Sequence, residues 1–276
     1  MITFPVPQAG DRVQLGVGVH DALTARLAER SGFDLVWLGS LEVSARHGVR
    51  DANLLTMTEM ATVTAEVRAA CRLPVFVDAD NGYGDDHAAA RAARLFESAG
   101  ADAVCLEDNV FPKRNSLLLG LDRRLVDPEE FADRLTVVCK SHSRMAVIAR
   151  TEALVAGLGV DGAVHRLRRY AEAGVDALFV QVNRDSRELL RPTLEQLDGL
   201  LPVVLAPTAL PEVPAEQFGG WGAGTVLFAN LVLRTMVAAL PATMVAVREQ
   251  GLLAAAGDGA AGLDETLALV DHDGRP

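Results

Sequence analysis

The sequence predicts an α/β fold of the closed (β/α)8, or TIM-barrel, type, and three observations carry that expectation. Short apolar runs recur eight times along the 276 residues, at 15–19, 35–38, 75–77, 103–106, 146–149, 177–182, 203–206 and 225–228. Between them lie stretches of helical periodicity, at 22–30, 57–70, 87–98, 128–139 and 161–173. A local repeat, Ser31-Gly32-Phe33-Asp34, Ala99-Gly100-Ala101-Asp102 and Ala173-Gly174-Val175-Asp176, stands each time between helix end and strand start.

Continuous apolar strands that alternate with amphipathic helices signal βαβ units, whose parallel sheet is covered on both faces. The glycine of the repeat suits the left-handed residue that closes a helix, and the Asp suits a tight turn into the strand. Eight such units with no spare strand favour a closed barrel over an open sheet. A barrel of this kind needs about 250 residues, so residues 1–250 read as one catalytic domain and 251–276 as a short tail of low complexity.

Half of the residues are apolar and 23% are charged, which suffices for a large core. The net charge of −11 argues against nucleic acid, which demands clustered Lys and Arg, but not against a small anion held by a metal and a few local cations. No run of 18 consecutive apolar residues predicts a membrane span, and the N-terminus lacks the basic start and apolar stretch of a signal peptide. A cytoplasmic protein is expected. Cys71, Cys105 and Cys139 are widely spaced and read as reduced, buried thiols.

Two segments break the rhythm. Residues 109–126, about 18 without clear periodicity, have the length of a functional lid. The stretch 231–249 has a long apolar face around Pro241, suited either to its own barrel or to a neighbouring subunit.

In such a barrel the site forms where the strands end. The polar residues there are Asp78 and Asp80 on the third strand, Glu107 and Asp108 on the fourth, Arg150 and Glu152 on the fifth, Thr208 on the seventh and Asn230 on the eighth. Alternation of side chains along a strand turns Asp78 and Asp80 to one mouth. Carboxylates gathered without His or Cys suit a hard cation, so Asp78, Asp80 and Glu107, with Asp51 from the loop after the second strand, read as a Mg²⁺ site; helix caps or ion pairs are the alternative. Arg150 either neutralises an acid such as Glu152 or grips a carboxylate or phosphoryl group with two hydrogen bonds. Lys113 and Asn115 lie on the lid. One metal and two side-chain cations together favour a small dianionic or trianionic substrate. Asn81-Gly82-Tyr83-Gly84 offers backbone N–H groups to an anion, but no nucleotide-binding glycine pattern is present.

The pieces VSARHGVRDAN (43–53), VDADNGYG (77–84), LEDNVFPKRNS (106–116), VIARTEALVAGLG (147–159) and VVLAPT (203–208), closed by ANLVLR (229–234), stand in that order. With them the chain resembles the phosphoenolpyruvate mutase and phosphonopyruvate hydrolase group of the isocitrate lyase superfamily. The resemblance implies that Asp78 holds Mg²⁺, with Asp51, Asp80 and Glu107 acting largely through bound water. It implies a gating loop carrying Lys113 and Asn115, and Arg150 against the phosphonyl group. Trp37 is expected beside the substrate, and the backbone of Gly39, Ser40 and Leu41 at the pyruvyl oxygens. Dimers and tetramers in which the last barrel helix crosses to a partner are also implied. Replacing Asp51 or Arg150 by Ala is expected to abolish turnover and leave the fold intact.

The lid reads FPKRNS, with no cysteine such as the lyases of the superfamily use, and Asn115 stands where the hydrolases place Thr; the mutase branch is therefore expected. Three departures remain: Gly39 replaces a serine that contacts the phosphonyl group, Gln181 replaces a histidine, and Asn109 replaces a common lysine. These leave open a hydrolase or C–C lyase acting on a related 2-oxo acid. The tail is expected to lack the family's final helices.

Overall fold

Each apolar run becomes a strand because it is buried on both faces. In the computed structural model, which describes residues 4–5, 12–120, 122–142, 144–197 and 199–270, the strands are β1 (Gln14–Val19), β2 (Leu35–Leu38), β3 (Val75–Asp78), β4 (Ala103–Glu107), β5 (Ala146–Thr151), β6 (Ala177–Val180), β7 (Val203–Leu205) and β8 (Ala223–Phe228). All pair in parallel and in chain order, and β8 returns to β1, so the barrel is closed.

The helices are α1 (Ala22–Arg30), α2 (Ser40–Arg46), α3 (Met57–Ala70), α4 (Asp86–Ser98), α5 (Pro128–Cys139), α6 (Gly159–Glu172), α7 (Leu190–Gln196), α8 (Ala215–Gly220), α9 (Leu231–Gln250) and α10 (Leu263–Val270). Caps set several starts. Asp21 and Thr24 close a reciprocal capping box on α1, as Thr56 and Glu59 do on α3, while Asp127 caps α5 ahead of Pro128.

The repeated Asp does more than begin a turn. Asp34, Asp102 and Asp176 each donate a backbone N–H to the carbonyl of Leu15, Val75 or Val147 on the preceding strand, at 2.8–2.9 Å. Each side chain also accepts the N–H of that same residue at 2.8 Å. The two bonds pin the register of the pairs β1–β2, β3–β4 and β5–β6, so the sequence repeat marks every second unit of the barrel.

Two layers of core result. Trp37, Phe76, Ile148, Phe179 and Leu227 fill the barrel interior, with Trp37 and Phe179 edge to face at 6.0 Å between ring centres. A larger layer, including Met60, Phe96, Phe131, Leu135 and Tyr170, lies between strands and helices. Cys71 and Cys105 are buried and Cys139 is partly so, and none of the three is in a disulfide among the described residues.

The structure departs from the sequence expectations in three places. A helix is present in the tail: α10 packs on α1, where Arg26 and Arg30 donate to the carbonyls of Leu269 and Ala268. Residues 271–276 of the expected tail lie outside the described residues. Second, α9 buries none of its residues, and Val237 and Met244 are about two-thirds exposed at 66% and 65%. By length and composition α9 could cross a membrane, at a mean hydropathy of 1.5. It nevertheless takes the last helix position of the barrel, directly after β8, and is part of the soluble fold. Third, α2 forms where no helix was expected, and it brings Ser40, Leu41 and Glu42 to the barrel mouth.

Candidate active site

The C-terminal ends of the strands surround one cavity, which Trp37, Ser40, Leu41, Asp51, Asp78, Glu107, Lys113, Asn115, Arg150 and Gln181 all line. The structure thus brings nearly the whole predicted set together. Asp80 is buried just behind the wall and reaches it through Lys113.

Asp78 ends β3 and accepts from the Ser40 hydroxyl at 3.1 Å. Asp80 points to the same mouth for a reason other than strand alternation: its backbone lies past the strand in a left-handed turn (φ 50°). Its N–H donates to Asp78 Oδ1 at 3.2 Å, and Asn53 Nδ2 donates to its Oδ2 at 3.0 Å. Asn is among the few residues that stand such a backbone cheaply, and Asp is another.

The lid lies over these acids. Lys113 places its ammonium between Asp51 Oδ1 at 2.7 Å and Asp80 Oδ1 at 2.5 Å, and donates to Ser40 Oγ at 2.6 Å. Its backbone N–H reaches Asn53 Oδ1 at 2.6 Å. Asn115 Nδ2 donates to Asp51 Oδ2 at 2.5 Å. Glu107 ends β4 and accepts from Asn109 Nδ2 at 2.8 Å, so the residue that replaces a lysine holds this carboxylate by hydrogen bonding alone.

Arg150, on β5, meets both alternatives of the sequence reading. It pairs with Glu152 Oε1 at 2.6 Å and Glu107 Oε2 at 3.3 Å, donates to the lid's Ser116 Oγ at 2.8 Å, and lies 5.1 Å over the Phe179 ring. It is both a counter-ion and a cavity-lining cation. Gln181 donates its side-chain amide N–H to the carbonyl of Val182 at 2.8 Å, so that group is engaged with the backbone of the next residue.

Burial and charge work against each other here. Burial pushes the Glu107 carboxyl up to about 8 against the pull of Arg150 and Lys113. Burial likewise raises Asp80, to about 6, although Lys113 opposes it. At Asp51 burial acts upward, but the Lys113 ammonium and the hydrogen bonds from Lys113, Asn115 and Ser40 outweigh it and hold the group low. For Lys113 burial acts downward, and Asp80, Asp51, Glu107 and Asp78 more than reverse it. The site is an acid cluster that demands positive charge.

Whether that charge can be a metal is a question of donors. Among the described residues no three Asp, Glu, His or Cys side chains converge into a cage, because Lys113 stands between Asp51 and Asp80. Neither Asp51 Oδ1 nor Asp80 Oδ1 has a hydrogen-bond partner beyond that ion pair. An oxygen-only set needing one or two direct carboxylates and several waters fits Mg²⁺.

Several contributors went unassigned in the sequence. Asn53 and Ser116 end two of the matching pieces, 43–53 and 106–116, but nothing there gives them a role, Glu42 lies outside all of the pieces, and only the closed fold reveals their contacts. Gly39 lacks the hydroxyl of a serine, and a Cβ there would in addition overlap the Glu42 carboxylate.

The model of the phosphoenolpyruvate phosphomutase family matches residues 9–248. The phosphoenolpyruvate phosphomutase of Streptomyces hygroscopicus is 36% identical over 262 residues, covering 94% of this chain and 83% of the relative. The crystal structure of phosphoenolpyruvate phosphomutase from Streptomyces platensis subsp. rosaceus superposes with a TM-score of 0.90 at 36% identity, covering 95% of this chain and 91% of that one. Phosphonopyruvate hydrolase in complex with oxalate and Mg²⁺ follows, with a TM-score of 0.86 at 30% identity, over 94% and 90%.

Proposed function

Since this chain belongs to the phosphoenolpyruvate mutase family of the isocitrate lyase superfamily, we propose that it is an isomerase interconverting phosphoenolpyruvate and phosphonopyruvate. The observation that carries this reading is the contact between Asn115 and Asp51, an amide clamped at 2.5 Å over the acid cluster by a lid without a cysteine. An amide orients a transferring group and activates no water.

Asp78, Asp80 and Glu107, with Asp51, would hold Mg²⁺, as a hydrolase of the same fold does in complex with oxalate and Mg²⁺. A bound Mg²⁺ supplies positive charge to the substrate's oxyanions. The backbone of Gly39, Ser40 and Leu41 receives the pyruvyl end beside Trp37. Arg150, with Ser116 and Asn115, receives the phosphoryl group. In the forward direction the P–O bond breaks and a P–C bond forms at C3 of the enolate, through a loose, metaphosphate-like state. Because that state reacts readily with water, the lid must stay shut between cleavage and recombination. Lys113 and Asn115 supply the closing contacts.

Phosphorus NMR of phosphonopyruvate with enzyme and Mg²⁺ tests the reading. Growth of an enol phosphate signal is expected; pyruvate and inorganic phosphate alone would reject it in favour of hydrolysis. Gly39 and Gln181 favour a second reading, a hydrolase or C–C lyase on a related 2-oxo acid, because neither supplies a free hydroxyl or cation to the phosphonyl pocket. A coupled pyruvate assay across such acids discriminates, and absence of pyruvate from all of them counts against it.

The exposed apolar face of α9 packs on a second copy of this chain, giving a dimer or a tetramer with the last helix exchanged. Light scattering on the wild type and on Val237→Glu with Met244→Glu checks this: the variant is expected to lose mass per particle, and a monomeric wild type would refute it.

A further inference from the structure

Glu42 is a buried acid lining the cavity that the proposed chemistry leaves unused. It sits in the first turn of α2, 2% exposed, and lines the cavity. Its carboxylate lies in a slot made by two glycines. A Cβ at Gly18 of β1 would overlap Oε1, and one at Gly39 would overlap Oε2 and press on Trp37 Nε1. The missing serine at 39 and the carboxylate at 42 are therefore one arrangement, since the glycine is what makes room.

Oε1 accepts the backbone N–H of Asn230 at 2.7 Å. Asn230 follows β8 in a left-handed conformation (φ 53°, ψ 1°) and lines the same cavity. It is 5% exposed, and its Oδ1 has no hydrogen-bond partner among the described residues. A buried polar group without a partner costs about 1–3 kcal/mol unless something supplies one. In a closed eight-stranded order, β8, β1 and β2 stand across the mouth from β5, so this amide faces the cavity from the side away from Arg150. Rotation about Cβ–Cγ exchanges its oxygen and nitrogen with little change of shape, so an anionic ligand can receive the N–H2 donors.

We propose that Asn230 hydrogen-bonds the carboxylate end of the 2-oxo or enol acid, and that Glu42 is the positioning residue that holds the Asn230 backbone in the turn this requires. The inference deepens the proposed function and rests on its assignment of the cavity to such an acid. Burial raises Glu42 to about 7, and a carboxyl oxygen accepts the Asn230 N–H whether or not the group is protonated.

Calorimetric titration with oxalate in Mg²⁺ buffer tests it without reference to turnover. Asn230→Ala is expected to weaken oxalate about tenfold, the worth of one hydrogen bond to a charged group. Glu42→Ala and Glu42→Asp, which cannot reach the Asn230 N–H, are expected to weaken it similarly. Glu42→Gln, which keeps the acceptor, restores affinity toward that of the wild type. The double variant Glu42→Ala with Asn230→Ala should lose no more than either alone. Undiminished affinity in Asn230→Ala, an additive loss of about a hundredfold in the double variant, or equal losses in the Asp and Gln variants would each overturn the inference. Should Glu42→Ala not fold, the Asp and Gln pair decides. A wild type that binds no oxalate removes the site reading itself, whereas one that binds oxalate but produces only phosphate removes the mutase reading and leaves this inference standing.

Discussion

The Asn115 amide and the Asp51 carboxylate, 64 residues apart in the chain, meet at 2.5 Å and join the lid to the barrel mouth. Asp51 is held by Lys113 as well, so lid and acid cluster close as one unit. Loss of the amide frees the lid at the point where water must be kept out. Asn115→Ala is expected to lower kcat about a hundredfold, the usual cost of misplacing a positioned group. In Asn115→Thr the shorter side chain cannot span to Asp51, and the share of inorganic phosphate among the products should rise. Phosphorus NMR of both variants, against the wild type, reads the two effects separately.

Arg150 presents a different case. The sequence suggests that its removal spares the fold, yet its guanidinium neutralises Glu107 and Glu152, which are 2% and 0% exposed. Deleting one partner of a buried pair typically costs about 3–5 kcal/mol. Arg150→Ala is expected both to abolish turnover and to lower the unfolding free energy, read from urea denaturation, by an amount of that order. Arg150→Lys keeps the charge but not the forked donors, so it should recover stability ahead of activity. Unfolding curves that coincide with wild type would contradict the pairing.

Why some of this was legible in the sequence and some not follows from distance along the chain. The strands could be read because a strand buried on both faces is apolar at every position, and Asp34, Asp102 and Asp176 could be read because each acts on the strand immediately before it. Asp78, Glu107 and Arg150 could be placed because a barrel presents its strand ends at one mouth. Asp80 was expected there for the wrong reason, since its direction comes from a left-handed turn rather than from strand alternation. Glu42 could not be seen at all. Its slot is built by Gly18, Gly39 and Asn230, and the last of these lies 188 residues away. The exposed face of α9 was half legible: apolar periodicity announces a contact but does not name the surface that makes it.

Asp108 sits next to Glu107 but faces outward from the barrel. It accepts from Thr151 Oγ1 and Tyr170 OH at 2.7 Å, from the Glu152 N–H at 2.9 Å and from Arg166 at 3.2 Å. Arg166 in turn donates to the carbonyl of Val126, where the lid returns to α5. The network thus fixes both the strand end that carries Arg150 and the base of the lid. Asp108→Asn strands a buried guanidinium, with a cost of about 3 kcal/mol or more. Tyr170→Phe removes one hydroxyl, which donates to Asp108 and accepts from Arg166 at 3.0 Å, and should cost about 1–2 kcal/mol. Chemical denaturation of the two variants should rank them in that order, and a neutral Asp108→Asn would show that the network bears no charge.

The pH dependence of stability offers a test of Glu42 that needs no substrate. Burial raises this carboxyl from 4.5 to about 7 in the folded protein. Between those values the folded state keeps a proton that the unfolded chain has lost, so stability falls as pH rises. The contribution is fully present below pH 4.5, is lost as pH rises to about 7, and does not change further above it. A shift of that size corresponds to about 3 kcal/mol in total. Glu42→Gln has the shape of the protonated acid and cannot ionise. Its melting temperature, compared with that of the wild type, should therefore be close at the acid end of the window and progressively higher toward neutral pH. Parallel curves for the two proteins across the window would mean that Glu42 is ionised throughout, and that its carboxylate is stabilised in the Gly18–Gly39 slot as strongly as in water.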